Sequence, residues 1–167
     1  MMIEAVQLIN LAVAAEDSLR KVGSISQIII NPENGQLMGF LVNIGLFLPP
    51  KILSFMDIKF WDTNGIVTES EENFVNPEEV VRIKNVLDKK INLLEMSAQT
   101  ESGKSLGIVE NFLIDTETIS VVKYYLKDLL GKSRIMPANK VVSIDQNIVF
   151  IDDEIEIPNG ETADVIA

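Results

Sequence analysis

Val22-Gly23-Ser24-Ile25-Ser26-Gln27-Ile28-Ile29-Ile30-Asn31 and Leu106-Gly107-Ile108-Val109-Glu110-Asn111-Phe112-Leu113-Ile114-Asp115 are one pattern written twice, at a constant offset of 84 residues. Nine of the ten aligned pairs keep their polarity, and only Ser24 against Ile108 breaks it, so the chain reads as an internal duplication. Both copies continue alike. A turn follows in each, Asn31-Pro32-Glu33-Asn34-Gly35 and Asp115-Thr116-Glu117-Thr118, and then a second apolar strand over residues 37–44 and 119–126. Later each copy has a proline-marked strand, at Pro50 and at Pro137, and an Asp-x-Asn turn before an apolar strand. Those turns are Asp62-Thr63-Asn64-Gly65-Ile66-Val67 and Asp145-Gln146-Asn147-Ile148-Val149. The offset drifts there by a few residues, as loop insertions and deletions produce.

Within a copy the texture is β. Short runs of Ile, Val, Leu and Phe alternate with turn residues at intervals of about 8 to 12 positions, the spacing of a small sandwich or barrel. Asn34-Gly35 and Asn64-Gly65 are hairpin signals, because both residue types tolerate the positive φ a tight turn needs. Gly23, Gly35, Gly65 and Gly107 are therefore read as structural turn positions. The unbroken run Ile28-Ile29-Ile30 predicts strands covered on both faces, which two barrels packed together would provide.

Between the copies the pattern changes to helical. Asn76-Pro77-Glu78-Glu79 reads as an N-cap, a proline at the first helical position and acidic residues on the positive end of the dipole. Val80, Val81, Ile83, Val86 and Leu87 then recur at helical spacing through Lys90, predicting an apolar stripe docked on a barrel. The expected organisation is an all-β chain of two tandem barrels, over 1–75 and 91–152, joined by a helical linker over 76–90. Residues 68–73 read as an acidic loop, and 153–167 as a fraying acidic tail.

Composition narrows the function. With 14 basic and 25 acidic residues the net charge is −11, which repels phosphate backbones and anionic lipid, so no direct nucleic-acid contact is expected. The chain has no cysteine and no histidine, which removes disulfides, thiolate nucleophiles, imidazole bases and the commonest zinc ligands. The apolar run over 39–48 stops at Pro49-Pro50, well short of the roughly 20 residues of a membrane span. A cytoplasmic location is the corresponding expectation.

On these residues the chain resembles the PRC-barrel family, which includes the cytoplasmic domain of the photosynthetic reaction-centre H subunit and the C-terminal domain of the ribosome maturation factor RimM. The resembling signature is a glycine, an apolar strand ending in Asp or Asn, a turn, a second apolar strand, and a strand opening at proline. It lies at residues 107–115, 119–126 and 137–142, and more loosely at 23–31, 37–44 and from Pro50 onward. The resemblance implies two small PRC-type barrels acting as protein-binding or assembly modules.

No chemical motif stands against that reading. Ala98-Gln99-Thr100-Glu101-Ser102-Gly103-Lys104-Ser105 loosely matches a phosphate-binding loop, but the following residues 106–114 are strand-like where such a loop needs a helix, so a hairpin turn is expected. Asp62-Thr63-Asn64-Gly65 resembles a calcium loop, yet its glycine comes fourth where an EF-hand needs it sixth, so a β-turn is expected. No serine sits in a nucleophile-elbow pattern and no carboxylate pair is singled out, so neither enzyme activity, cofactor nor metal is expected. Trp61, Phe74, Tyr124 and Tyr125 are the candidate protein-binding anchors, since interface hot spots favour large rings with a polar handle. Adjacent Tyr124 and Tyr125 on one strand must face opposite ways, one inward and one outward. The leading expectation is a non-catalytic adaptor with a protein partner, and a homodimer is compatible with it. The alternatives are a regulatory domain binding a small ligand or ion between the barrels, and an accessory factor in ribosome-associated assembly.

Overall fold

The computed structural model describes residues 1–152. The expected acidic tail, 153–167, lies outside the described residues. A strand β1 (Met2–Glu4) and one helical turn α1 (Ala5–Leu8) lead into β2 (Ala12–Ala15), β3 (Arg20–Ile30), β4 (Leu37–Asn43), β5 (Lys51–Ser54), β6 (Ile58–Trp61), β7 (Ile66–Thr68) and β8 (Phe74–Val75). The linker helix α2 (Val81–Asp88) follows. The second half supplies β9 (Ser97–Thr100), β10 (Ser105–Asp115), β11 (Ser120–Lys127), β12 (Ser133–Pro137), β13 (Val141–Ile144) and β14 (Ile148–Phe150).

The two halves have the same topology. The first sheet runs β6-β7-β2-β3-β4-β5-β8, and the second, read in the matching direction, runs β13-β14-β9-β10-β11-β12. Each contains one parallel pair at the same place: β2 with β7 through Val13 and Ile66, and β9 with β14 through Ala98 and Ile148. Even the irregularities repeat. β3 and β4 slip register between Ile25 and Gln27 and again between Ile29 and Ile30, while β10 and β11 slip between Val109 and Asn111 and between Leu113 and Ile114. Bulges are specific features of a backbone, so their recurrence at an offset of 84 is strong support for duplication.

Positive backbone φ angles recur in the same way, although the side chains there have diverged. Asn10 and Glu95 stand at +65° and +70°, Leu19 and Gly103 at +55° and +88°, Gly35 and Ile119 at +73° and +55°, Phe47 and Gly131 at +65° and +80°. In three of these pairs one copy uses glycine, which adopts the conformation freely, and the other forces a bulky residue into it at a cost of about 1–2 kcal/mol. The backbone has outlived the residue that suited it.

Each sheet curls, and the buried residues of both halves form one hydrophobic core. In a flat sheet β4 and β6 would lie about 19 Å apart, four strand spacings. Phe40 and Trp61 on those strands nevertheless have ring centroids 6.4 Å apart. In the second sheet Tyr124 and Phe150 meet edge to face at 5.7 Å. Ile28, Ile29 and Ile30 are all buried, as the unbroken apolar run predicts.

Two ties join the sheets. The hairpin turns after β3 and β10 meet in an antiparallel bridge, with Leu37 N donating to Ile119 O at 2.9 Å and Val121 N donating to Gly35 O at 3.0 Å. Leu37 and Val121 are equivalent residues, and so are Gly35 and Ile119, so the bridge marks a pseudo-twofold relation. The second tie is an exchange of leading segments. β1 pairs with β10 of the other half, Ile3 opposite Ile114, and Val6 N donates to the Asn111 side-chain oxygen. Reciprocally, the Gln27 side chain in the first half donates to Ile91 O, just ahead of the second half.

Several expectations change in detail. The predicted helix divides into a 3-10 turn (Pro77–Glu79) and α2, with Asn76 N donating to the Glu79 carboxylate at 2.7 Å and Ile83 and Val86 buried. Residues 68–73 comprise the end of β7 and a 3-10 turn (Glu71–Asn73). Pro50 and Pro137 are not equivalent: Pro50 precedes β5, whereas Pro137 ends β12 and caps a 3-10 turn (Ala138–Lys140). Pairing of Phe40 with Leu53 and of Tyr124 with Met136 shows that Ser54 is the counterpart of Pro137. Gly35 and Gly65 do sit at turns. Gly23 and Gly107 lie inside long strands instead, because a Cβ at either would come within 2.2 Å of a backbone oxygen on the neighbouring strand, Asn43 O and Lys127 O.

Candidate functional site

The four aromatic anchors are scattered. Phe74 is 9% exposed and Tyr124 1%, so both rings are core. Trp61 is half-buried and meets Phe55 edge to face at 5.5 Å. Tyr125 is half-buried, as its alternation with Tyr124 predicts, and burial followed by the nearby Glu4 charge holds its hydroxyl above the usual phenol range. These rings do not converge on one face.

Two other features organise surface chemistry: the first was not singled out by sequence, whereas the second lies between the halves, where a small-ligand site was the alternative expectation, and is lined by Tyr124. The first is the pair of equivalent loops after β4 and β11. Leu46, Phe47 and Leu48 are 83%, 98% and 56% exposed, and Leu129 and Leu130 are fully exposed. Leu46 and Leu130 are counterparts at the offset of 84. Each loop lies at the end of β4 or β11 remote from the inter-sheet bridge. Lys21 lines the hollow beneath Leu46. The signal in the sequence was the apolar run ending at Pro49-Pro50, which continues past β4 into a loop that buries none of Leu46, Phe47 or Leu48.

The second feature is a cleft of about 160 Å³ between the halves. One wall is the first half's turn, including Glu33 and Asn34, and the other is built of Val121, Tyr124, Ala138, Ser143 and Ile144. β-ladder registers make Ala138 the counterpart of Phe55, Ser143 of Phe60, and Ile144 of Trp61. In the first half these positions carry three aromatic rings. In the second half the aromatic mass has moved inward, where Phe112 and Phe150 pack on Tyr124 with centroids 6.3 Å and 5.7 Å away. The outer positions are smaller there, and the cleft lies beside them.

Tyr124 is one of the polar groups of that cleft, with Glu33, Asn34 and Ser143. Burial holds the ionisation of the Tyr124 hydroxyl well above the usual phenol range. It is therefore a neutral donor and acceptor.

The acidic turns serve structure. Asp62 Oδ1 accepts from Asn64 N at 2.7 Å and Gly65 N at 3.2 Å, and these bonds hold its carboxyl below the usual range. Among the described residues no group of three metal-ligating side chains converges. Ala98 to Ser105 forms the predicted hairpin between β9 and β10, with Gly103 in its turn and no helix after it. No helix among the described residues is long and apolar enough to cross a membrane.

Comparison with curated proteins found no match. Comparison with family models matched residues 1–74 to the PRC-barrel domain. The match covers the whole of the first sheet apart from the last residue of β8, and the second sheet repeats its strand order. Residues 1–74 are therefore similar to the PRC-barrel domain, and the second sheet repeats their strand order.

Proposed function

We propose that the chain is a non-catalytic protein-binding adaptor, whose two barrels grip partners through the apolar loops after β4 and β11. The observation that carries this reading is the matched pair of exposed tips, Leu46 with Phe47 and Leu129 with Leu130, at equivalent places in both copies. Exposed leucine or phenylalanine is ordinary when scattered, but clustered on two symmetry-related loops it marks contact surface. Lack of histidine and cysteine, and carboxylates engaged in turns, support a role without chemistry. Because the tips lie at the strand ends away from the bridge, two contacts can be made at once, and linked contacts gain avidity.

The test is affinity capture with the full chain against Leu46→Ser/Phe47→Ser and Leu129→Ser/Leu130→Ser, followed by a binding titration with each captured protein. The reading expects loss of binding at least tenfold in one or both variants, about 1.4 kcal/mol. Unchanged affinity in both variants, or no protein retained by the unaltered chain, refutes it.

A further inference from the structure

We infer that the cleft between the two halves is a binding site for a single aromatic ring bearing a hydrogen-bonding substituent. The first half shows what the space is shaped for: there Phe55 and Trp61 supply rings at the positions of Ala138 and Ile144, packed around Phe40, the counterpart of Tyr124. The second half keeps the walls and lacks the rings. Its volume, about 160 Å³, has room for one ring and is too small for most metabolites, whose pockets run to about 300–1,000 Å³.

The substituent follows from Tyr124. Its side chain is 1% exposed and it lines the cleft. A hydrogen bond to its hydroxyl favours a ligand with a donor or acceptor at that point over an unsubstituted ring. Glu33 is the one charged residue of the lining, which disfavours an anionic substituent and leaves a neutral or cationic one. A phenol and the side chain of tyrosine share this chemistry. The inference goes beyond the adaptor reading and does not require the loop tips to bind anything.

The probe is p-cresol, titrated into the full chain and followed by amide chemical shifts, with toluene as the ring lacking a substituent and the capped tripeptide Gly-Tyr-Gly as the ring on a backbone. The expected result is saturable shifts at Val121, Tyr124, Ala138 and Ile144, with p-cresol binding about threefold or more tighter than toluene. Tyr124→Phe should remove that preference. Ala138→Phe, which restores the ring of the first half, should weaken p-cresol at least about tenfold. Ile144→Trp is the second filling variant, and melting curves identify either one that fails to fold. The tripeptide separates the sources: affinity equal to p-cresol assigns the cleft to a partner's side chain, and its exclusion assigns it to a free phenolic ligand. No shift at these residues with p-cresol, or an equal response in the folded filled variants, overturns the inference.

Discussion

Replacing three glycines by alanine separates the two reasons a backbone demands glycine. At Gly23 the reason is space alone: an added Cβ would lie 2.2 Å from Asn43 O and 2.9 Å from a Val42 methyl. At Gly35 it is torsion alone, since φ is +73° and nothing lies within 4 Å of the added atom. At Gly107 both apply, with φ +94° and a Cβ 2.2 Å from Lys127 O. Relieving a contact of 2.2 Å requires the strands to part by about 1 Å, which breaks about two ladder bonds at about 1 kcal/mol each. A left-handed torsion on alanine costs about 1–2 kcal/mol, offset by about 0.5–1 from the stiffer unfolded chain. The same offset applies at all three sites, so Gly35→Ala should lose about 0–1.5 kcal/mol, Gly23→Ala about 1–1.5, and Gly107→Ala about 2–3.5. At about 2–4 °C per kcal/mol for a chain of this size, melting followed by circular dichroism should fall by up to about 6 °C, about 2–6 °C and about 4–14 °C. A Gly35→Ala loss equal to that of Gly107→Ala would refute the close-approach account, because only the torsion is common to both.

Leu19 is 89% exposed at φ +55°, so Leu19→Gly sheds strain without losing packing, and urea denaturation should show unchanged stability or a gain of up to about 1 kcal/mol. Ile3→Ala removes a fully buried side chain from β1, at a cost of about 2–4 kcal/mol, and hydrogen exchange should rise first at β10 in the opposite half. Asp62, Glu71 and Asp152 are held below the ordinary carboxylate range, by Asn64 N–H, by the Arg20 guanidinium and by the Ser102 hydroxyl respectively. Depressed folded values stabilise above the unfolded value of about 4 and lose that contribution as pH falls through the folded one. The melting temperature should thus be flat from about pH 7 to 5 and drop below about 4, with Asp62→Asn flattening the acid limb.

The duplication was legible in residues 22–31 and 106–115 because a strand's polarity pattern is set by which face is buried, and that requirement survives substitution. The linker helix was legible for a similar local reason, since Asn76, Pro77 and Glu79 act within one turn of each other. The proline alignment misled because proline is tolerated both before a strand, at Pro50, and at the end of one, at Pro137. Some equivalences are invisible to any comparison of residue types. In the first half the Ser70 hydroxyl donates to Asp17 at 2.8 Å; in the second the Ser102 hydroxyl donates to Asp152 at 2.8 Å, the same tie with donor and acceptor exchanged between segments.

What the amino-acid order determined by itself was therefore the repeated unit, its β character, the helix between the copies and the poverty of catalytic groups, all of which depend on neighbours in the chain or on composition. Tertiary structure alone decided that β1 crosses to the opposite sheet, that equivalent turns bridge, that Phe74 and Tyr124 are core, and that a cleft opens at Ala138 and Ile144. Each of these depends on atoms 12 or more residues apart in the chain, or on a volume left between elements, and neither distance in space nor empty volume is written in a local pattern.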